Sequence, residues 1–344
     1  MKTPYIETAG LASTDEAQGI TPENMLASVA GVTRPLVLRG YCDHFPAVQA
    51  AKVSPRAMVD YLLSQYSGHP VNGCYGSADA GGRVFYNDDL SGFNFETRRV
   101  PLDALLEEIL VHADGENPPM RYMPSSEVSY WFPEFAAVND AGVNSVSPMG
   151  SLWLGNKVRV AAHYDFPNNL ACNIAGKRRF TLLPPDQIGN LYPGPLDFAP
   201  GGQEISLVDF YHPDFARFPR FRDALENAQT AELEAGDALY IPGMWWHHVE
   251  SLDTLNVLYT HWWRDSEAYM GRPTNALLHA ILGLRNLPVH QRQAWKALFD
   301  YYIFDAEEGA AAHIEQRARG VLEQPLPLES AMQLRAKLQN DLKR

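Results

Sequence analysis

Apolar residues are spaced in three different ways along this chain. Between about residue 120 and residue 264 they form short runs that stop at Pro, Gly or charged positions: SLWLG, VRVAAHYD, LACNIAG, RRFTLLPP, GDALYIP and LNVLYTHWW. Six candidate strands of this length, parted by breaks such as PPDQ and YPGPLDFAPGG, predict a mainly β core, either a sandwich or a jelly-roll barrel. Residues 1–119 mix signals. RPLVLRGY (34–41) reads as one more short strand. SPRAMVDYLLSQY (54–66) opens on Ser-Pro, and PLDALLEEILVHA (101–113) repeats its helix-spaced apolar positions. From 265 to 344 the spacing is helical, and Trp295, Leu298, Phe299, Tyr302 and Ile303 follow an i, i+3, i+4, i+7, i+8 stripe. The expected organisation is therefore a mixed α/β part (1–119), a β core (120–264) and a C-terminal helical region (265–344). The glycines of GSADAGG (76–82) lack the Lys-Ser/Thr ending and strand-then-helix setting of a phosphate loop and read as a plain turn.

Composition narrows the class. With 344 residues, 46% hydrophobic and 20% charged, the chain reads as a soluble globular protein able to bury a large core. A formal net charge of -13 argues against nucleic acid or anionic membrane as a default partner. Cys42, Cys74 and Cys172 are sparse and include no CxxC pair, which suits free thiols in a reducing compartment. The opening MKTPYIETAG lacks the pattern of a signal peptide, and no run approaches the roughly 20 apolar residues of a membrane helix. A cytoplasmic location is expected.

The chemistry concentrates in the β core. In AAHYDFPNN, His163 and Asp165 sit two positions apart, so on a strand they share a face while Tyr164 points away. By itself the pair fits a buried histidine hydrogen-bonded to a nearby carboxylate. A second stretch, GDALYIPGMWWHHVES (236–251), shifts that balance: a turn, a strand, a Pro-Gly break and two tryptophans lead into His247-His248. Neighbouring residues of a strand face opposite ways, so at most one of these two histidines joins His163 and Asp165. Two imidazoles and a carboxylate on one side of an ion are the set that binds Fe(II) and leaves other positions open.

The order HYD, GKRRFTLLPPDQ, LYPGP, VDFYHPDFARFPRF and GDALYIPGMWWHHVESL resembles the cupin-like branch of the JmjC oxygenases over about residues 120–264. Within it the likeness is greatest to the asparaginyl hydroxylase that inhibits hypoxia-inducible factor. PLVLRG and FYNDDLSGFNF upstream are similar to bacterial cupin-like members. The resemblance implies a double-stranded β-helix, with Fe(II) as metal and 2-oxoglutarate as cosubstrate. It puts His163, Asp165 and His247 on the metal ligands and leaves His248 as a neighbour facing away. It further puts Tyr122 (in MRYMP), Asn169, Arg178 and His261 at the cosubstrate.

The chain departs from the family pattern at two of these places and at Val160. Arg178 stands for a lysine that pairs with the distal carboxylate of 2-oxoglutarate, Val160 for a threonine, and His261 for an asparagine. Alternation sets Arg178, Phe180 and Leu182 on one face and Lys177, Arg179 and Thr181 on a more polar one. An inward Arg178 wants an anion, either a carboxylate of the cosubstrate or an internal Asp or Glu. Two functions stay open: a 2-oxoglutarate-dependent hydroxylase of a peptide or small molecule, or a jelly-roll module that binds metal or ligand without turnover. Cys172 reads as a small core residue, and His44 and His212 as turn residues. The C-terminal stripe is expected either to pair two copies of the chain or to pack on its own barrel.

Overall fold

All six runs become strands, and two further segments complete a set of eight: β1 Met149–Gly155, β2 Arg159–Tyr164, β3 Asn168–Ala175, β4 Arg178–Leu183, β5 Gln229–Leu233, β6 Ala238–Ile241, β7 Trp246–Ser251 and β8 Asn256–Trp263. The computed structural model describes residues 10–112, 115–267, 269–306 and 309–343. One sheet runs β5-β4-β7-β2 and the other β6-β3-β8-β1, each extended at its edges, and these neighbours pair antiparallel. That alternation of strands between two facing sheets is a double-stranded β-helix, or jelly roll. Strand β5 escaped the sequence pattern because its alternation is carried by Gln229, Ala231 and Leu233, only one of which is a strong apolar marker.

Each sheet has one face toward the barrel and one face covered. Phe180, Leu182, Ala231, Leu239, Val249 and Leu258 meet inside. The back of the β3-bearing sheet, with Leu170, Cys172, Ile174, Val257 and Tyr259, is buried under helices Pro46–Val53, Pro55–Gln65 and Leu102–Val111. Ser54 starts the second of these, its side chain accepting from Ala57 N at 3.1 Å with Pro55 as first helical residue. Strands Val71–Gly76, Phe95–Val100 and Arg121–Glu127 continue the same sheet beyond β1. Residues before β1 therefore supply both a cover and three added strands, with Phe95–Val100 at the edge. On the other sheet the segment 184–228 folds over the back, packing Phe210, Phe218 and Phe221 against Trp246 and Leu183.

The chain divides into two compact units, Met1–Arg264 and Asp265–Arg344. The second contains helices Pro273–Leu284, Val289–Phe299 and Leu328–Asp341, with the 3-10 turns Gln316–Ala318 and Gly320–Leu322 between the last two. A single α-helical stripe from Trp295 to Ile303 does not form: the α-helix ends at Phe299 and continues as a π-turn, Asp300–Phe304. The wider turn rotates Tyr302 and Ile303 away from the line of Trp295 and Leu298. Among the described residues no helix is long and apolar enough to cross a membrane.

Candidate active site

Strand register brings the two halves of the site together. Strands β2 and β7 run antiparallel with His163 directly opposite His247, and a register shift follows between His247 and Val249. The imidazole centroids lie 4.3 Å apart, and His247 Nε2 is 3.8 Å from Asp165 Oδ2. One donor atom from each of His163, Asp165 and His247 falls within 4.8 Å of the others. The turns that deliver them are tied to each other: Met244 N donates to Asp165 O at 2.6 Å, and Gly243 N donates to Asn168 Oδ1 at 3.1 Å. A side chain at Gly243 would put its Cβ 2.5 Å from the Phe166 carbonyl, so the Pro-Gly break is what lets these loops touch.

Both imidazoles are held in one orientation. His163 Nδ1 lies 2.9 Å from the Ala161 carbonyl and His247 Nδ1 3.0 Å from that of Trp245. With Nδ1 engaged on a carbonyl, Nε2 is the free ligand nitrogen. Burial, reinforced by the neighbouring His163, pushes His247 down to about 4, so its ring is neutral at pH 7. Asp165 Oδ2 accepts from Trp262 Nε1 at 2.9 Å.

The trio lies at one side of a cavity of about 610 Å³, mouth included, walled by Tyr122, Trp153, Val160, Phe180, Val249 and Trp262 among others. Tyr122, Asn169 and Arg178 all line it. Arg178 is buried at 6% exposure, its Nε donating to Asn173 Oδ1 at 3.2 Å and its Nη1 to Ser251 Oγ at 3.1 Å. Both partners are neutral, and among the described residues no carboxylate pairs with this guanidinium. Burial pushes Arg178 down to about 10, with only a small opposing contribution from Tyr122. Asn169 Oδ1 is likewise buried without a hydrogen-bond partner.

One expected site residue is corrected. His261 does not line the cavity: on β8 the residues facing it are Leu258, Thr260 and Trp262. His261 points the other way, opposite Leu170, with its ring 4.0 Å from that of Tyr259 and Nδ1 3.4 Å from the Leu170 carbonyl. Strand alternation excludes it from the cosubstrate side. His248 also turns away, stacking on Phe210 at 4.7 Å. Reading the sequence missed Trp153, Asn173, Ser251, Thr260 and Trp262. Alternation along LNVLYTHWW separates Thr260 and Trp262 from His261, but which set faces inward depends on the neighbouring strands.

The sequence matches the model of the cupin-like domain family over residues 22–269, and the chain belongs to that family. It is 31% identical over 134 residues to HSPB1-associated protein 1 of Homo sapiens, covering 38% of this chain and 27% of that protein. It is 31% identical over 158 residues to lysine-specific demethylase JMJ31 of Arabidopsis thaliana, covering 42% and 28%. A longer match, 27% over 280 residues, is to the human tRNA wybutosine-synthesizing protein 5, covering 73% of this chain and 78% of that one. The matched segments span less than a third of the first two relatives.

Proposed function

We propose that this chain is an Fe(II)- and 2-oxoglutarate-dependent oxygenase that hydroxylates a peptide or small-molecule substrate. The observation that carries the reading is Arg178, a buried cation that has no counter-anion among the described residues, in the same cavity as two imidazoles and a carboxylate. An unpaired buried guanidinium is costly, and a dicarboxylate with one end at the metal and the other at Arg178 relieves it. The orphaned Asn169 Oδ1 marks the same space as built for a polar ligand. When bound, Fe(II) would let 2-oxoglutarate react with O2, one oxygen atom going to succinate as CO2 leaves and the other into a substrate C–H bond.

In this reading His163 and His247 present Nε2 and Asp165 its carboxylate to the ion. Arg178 orients the cosubstrate. Its Nε donates to Asn173 and its Nη1 to Ser251, which leaves Nη2 and the second N–H of Nη1 for a carboxylate. Tyr122 and Asn169 flank the same volume, and Val160, Phe180 and Val249 exclude water from it. The finer likeness to the asparaginyl hydroxylase that inhibits hypoxia-inducible factor is what suggested the roles of Tyr122, Asn169 and Arg178. The relatives described above support the broader branch and do not single out that enzyme.

Two names among the relatives speak of different targets, lysine demethylation and tRNA wybutosine synthesis, so they leave the substrate class open. The net charge of -13 favours a peptide or small molecule over nucleic acid. A second reading, a binding module without turnover, is favoured by Val160, which lines the pocket and has no hydrogen to donate. Succinate release from iron-loaded protein with 2-oxoglutarate under air, paired with anaerobic calorimetry, decides between them. Turnover supports the oxygenase, binding without succinate supports the module, and neither ends the cosubstrate assignment.

Two further parts of the proposal concern setting. The three free, buried cysteines support a reducing compartment, the cytoplasm. The second unit supports a homodimer: none of its described large apolar side chains is buried, and Trp295, Leu298, Tyr302 and Ile303 are 43–58% exposed. Light scattering of the intact chain and of Leu298→Glu tests this, with a dimer and a monomer expected in turn; a monomeric wild type ends the idea.

A further inference from the structure

We infer that Trp262 is a positioning residue for the metal centre, its indole N–H holding Asp165 so that the carboxylate meets an ion through a single oxygen. The inference rests on the metal assignment above and deepens it.

The geometry is specific. Trp262 Nε1 donates to Asp165 Oδ2 at 2.9 Å, and among the described residues it is the donor that reaches that carboxylate. An ionised carboxylate has about four lone-pair sites, and in an apolar wall each one left unused after metal binding needs a donor. Indole meets that need in one way only. It donates, it never accepts, and it offers no lone pair to an ion, so it cannot compete with Asp165 for the metal.

The indole is itself held. Trp262 lies on β8 opposite Asn169 of β3 and Met149 of β1, so its backbone is fixed by register on both sides. Its ring meets Trp153 edge-on at 5.8 Å, and Trp153 Nε1 is anchored on Thr260 Oγ1 at 2.9 Å. A donor fixed in this way sets the rotation of the Asp165 carboxylate.

The consequence concerns vacant positions. A six-coordinate ion held by these three protein atoms would keep three sites for other ligands. A carboxylate that swung both oxygens onto the ion would take one of them. Oδ2, the oxygen Trp262 holds, also lies 3.8 Å from His247 Nε2, so it keeps a lone pair for the ion, and a rotation bringing Oδ1 onto the ion as well would break the indole bond.

The test uses Co(II) as probe on the full-length chain, with wild type, Trp262→Phe and Trp263→Phe compared. Trp263 neighbours Trp262 on the strand but faces the other way, stacked on Tyr240 at 6.0 Å, and serves as the packing control. Trp262→Phe keeps the ring and loses the N–H. It is expected to bind Co(II) about ten- to a hundredfold more weakly, the range for losing an outer-shell partner, and to change the visible d–d spectrum. Its metal-free melting temperature should match that of Trp263→Phe, whose affinity and spectrum stay as in wild type. Wild-type affinity and spectrum in Trp262→Phe overturn the inference, and so does an equal loss in Trp263→Phe. A wild type that takes up no Co(II) fails differently, since it removes the metal assignment itself. Should Trp262→Phe not fold, the indole 15N–1H spectrum of the wild type decides: Zn(II) must displace one of the resonances from its seven tryptophans. No displaced indole signal overturns the inference.

Discussion

The two faces of the β5-β4-β7-β2 sheet treat the same residue types in opposite ways. On the outer face Arg179 pairs with Glu232 at 2.7 Å and lies 3.8 Å from Glu250, which also accepts from Tyr211 at 2.6 Å. One residue earlier, on the inner face, Arg178 has among the described residues only the neutral Asn173 and Ser251 as hydrogen-bond partners. The histidines differ as well, in the opposite sense at Nδ1. Inner His247 has its Nδ1 on a carbonyl and faces Asp165 across the cavity, whereas outer His248 is stacked on Phe210 with Nδ1 unpartnered. Burial, with Arg159 and Arg83 nearby, pushes His248 down to about 3, so it sits neutral as a packed ring. The outer face answers its arginine within the chain. The inner face leaves charge and lone pairs unanswered, and such groups persist in a fold where a ligand completes them.

The largest test of this contrast is ligand removal. His163→Ala and His247→Ala should each lose divalent-metal affinity by more than about a hundredfold, above the range for outer-shell losses, while His248→Ala binds nearly as wild type. Equal losses at positions 247 and 248 in a Co(II) titration would erase the difference between the faces. Next come the arginines. Arg178→Ala removes a charge-assisted contact of about 1.5–3 kcal/mol and should weaken 2-oxoglutarate roughly ten- to a hundredfold by calorimetry, with metal affinity kept. Arg178→Lys should recover part of this, and Arg179→Ala should leave cosubstrate binding untouched.

A smaller effect is expected at Val160, which lines the pocket opposite Val249. Val160→Thr adds one neutral donor of about 0.5–1.5 kcal/mol and should tighten 2-oxoglutarate roughly two- to tenfold. Unchanged binding would mean that the cosubstrate lies away from β2. The smallest belongs to the outer face, where burial raises the Glu250 carboxyl above its ordinary 4.5. The folded state then holds that proton to a higher pH than the unfolded chain, so stability falls as pH rises from 4.5 through the raised value. Glu250→Gln cannot titrate, and its melting temperature relative to wild type should climb across that window. A constant difference would refute the buried-carboxyl account.

Much of this was legible in the residue pattern, for local reasons. The period of two along a strand puts His163 with Asp165 and splits Arg178 from Arg179, whatever the rest of the chain does. Ser-Pro at 54–55 starts a helix because Pro suits the first turn and Ser caps it. The runs between 149 and 263 became strands because short apolar stretches between Pro and Gly breaks have no room to be helices. Strand β5 stayed hidden behind Gln229 and Ala231, and the C-terminal stripe was broken by a π-turn that apolar spacing does not report.

What the sequence determined by itself is therefore the set of chemical groups and the face-sharing within each strand. Tertiary structure decided which strands lie opposite each other and which face of each looks inward. The pairing of β2 with β7 sets His247 against His163, and the pairing of β8 with β3 and β1 turns Trp262 to the cavity and His261 to the core. Arg178 finds Asn173 and Ser251 on two other strands, and Asp165 finds Trp262 across the barrel. Alternation has a period but no origin. A one-residue slip of register exchanges the two faces of a strand, and only the packed neighbours on either side supply that origin.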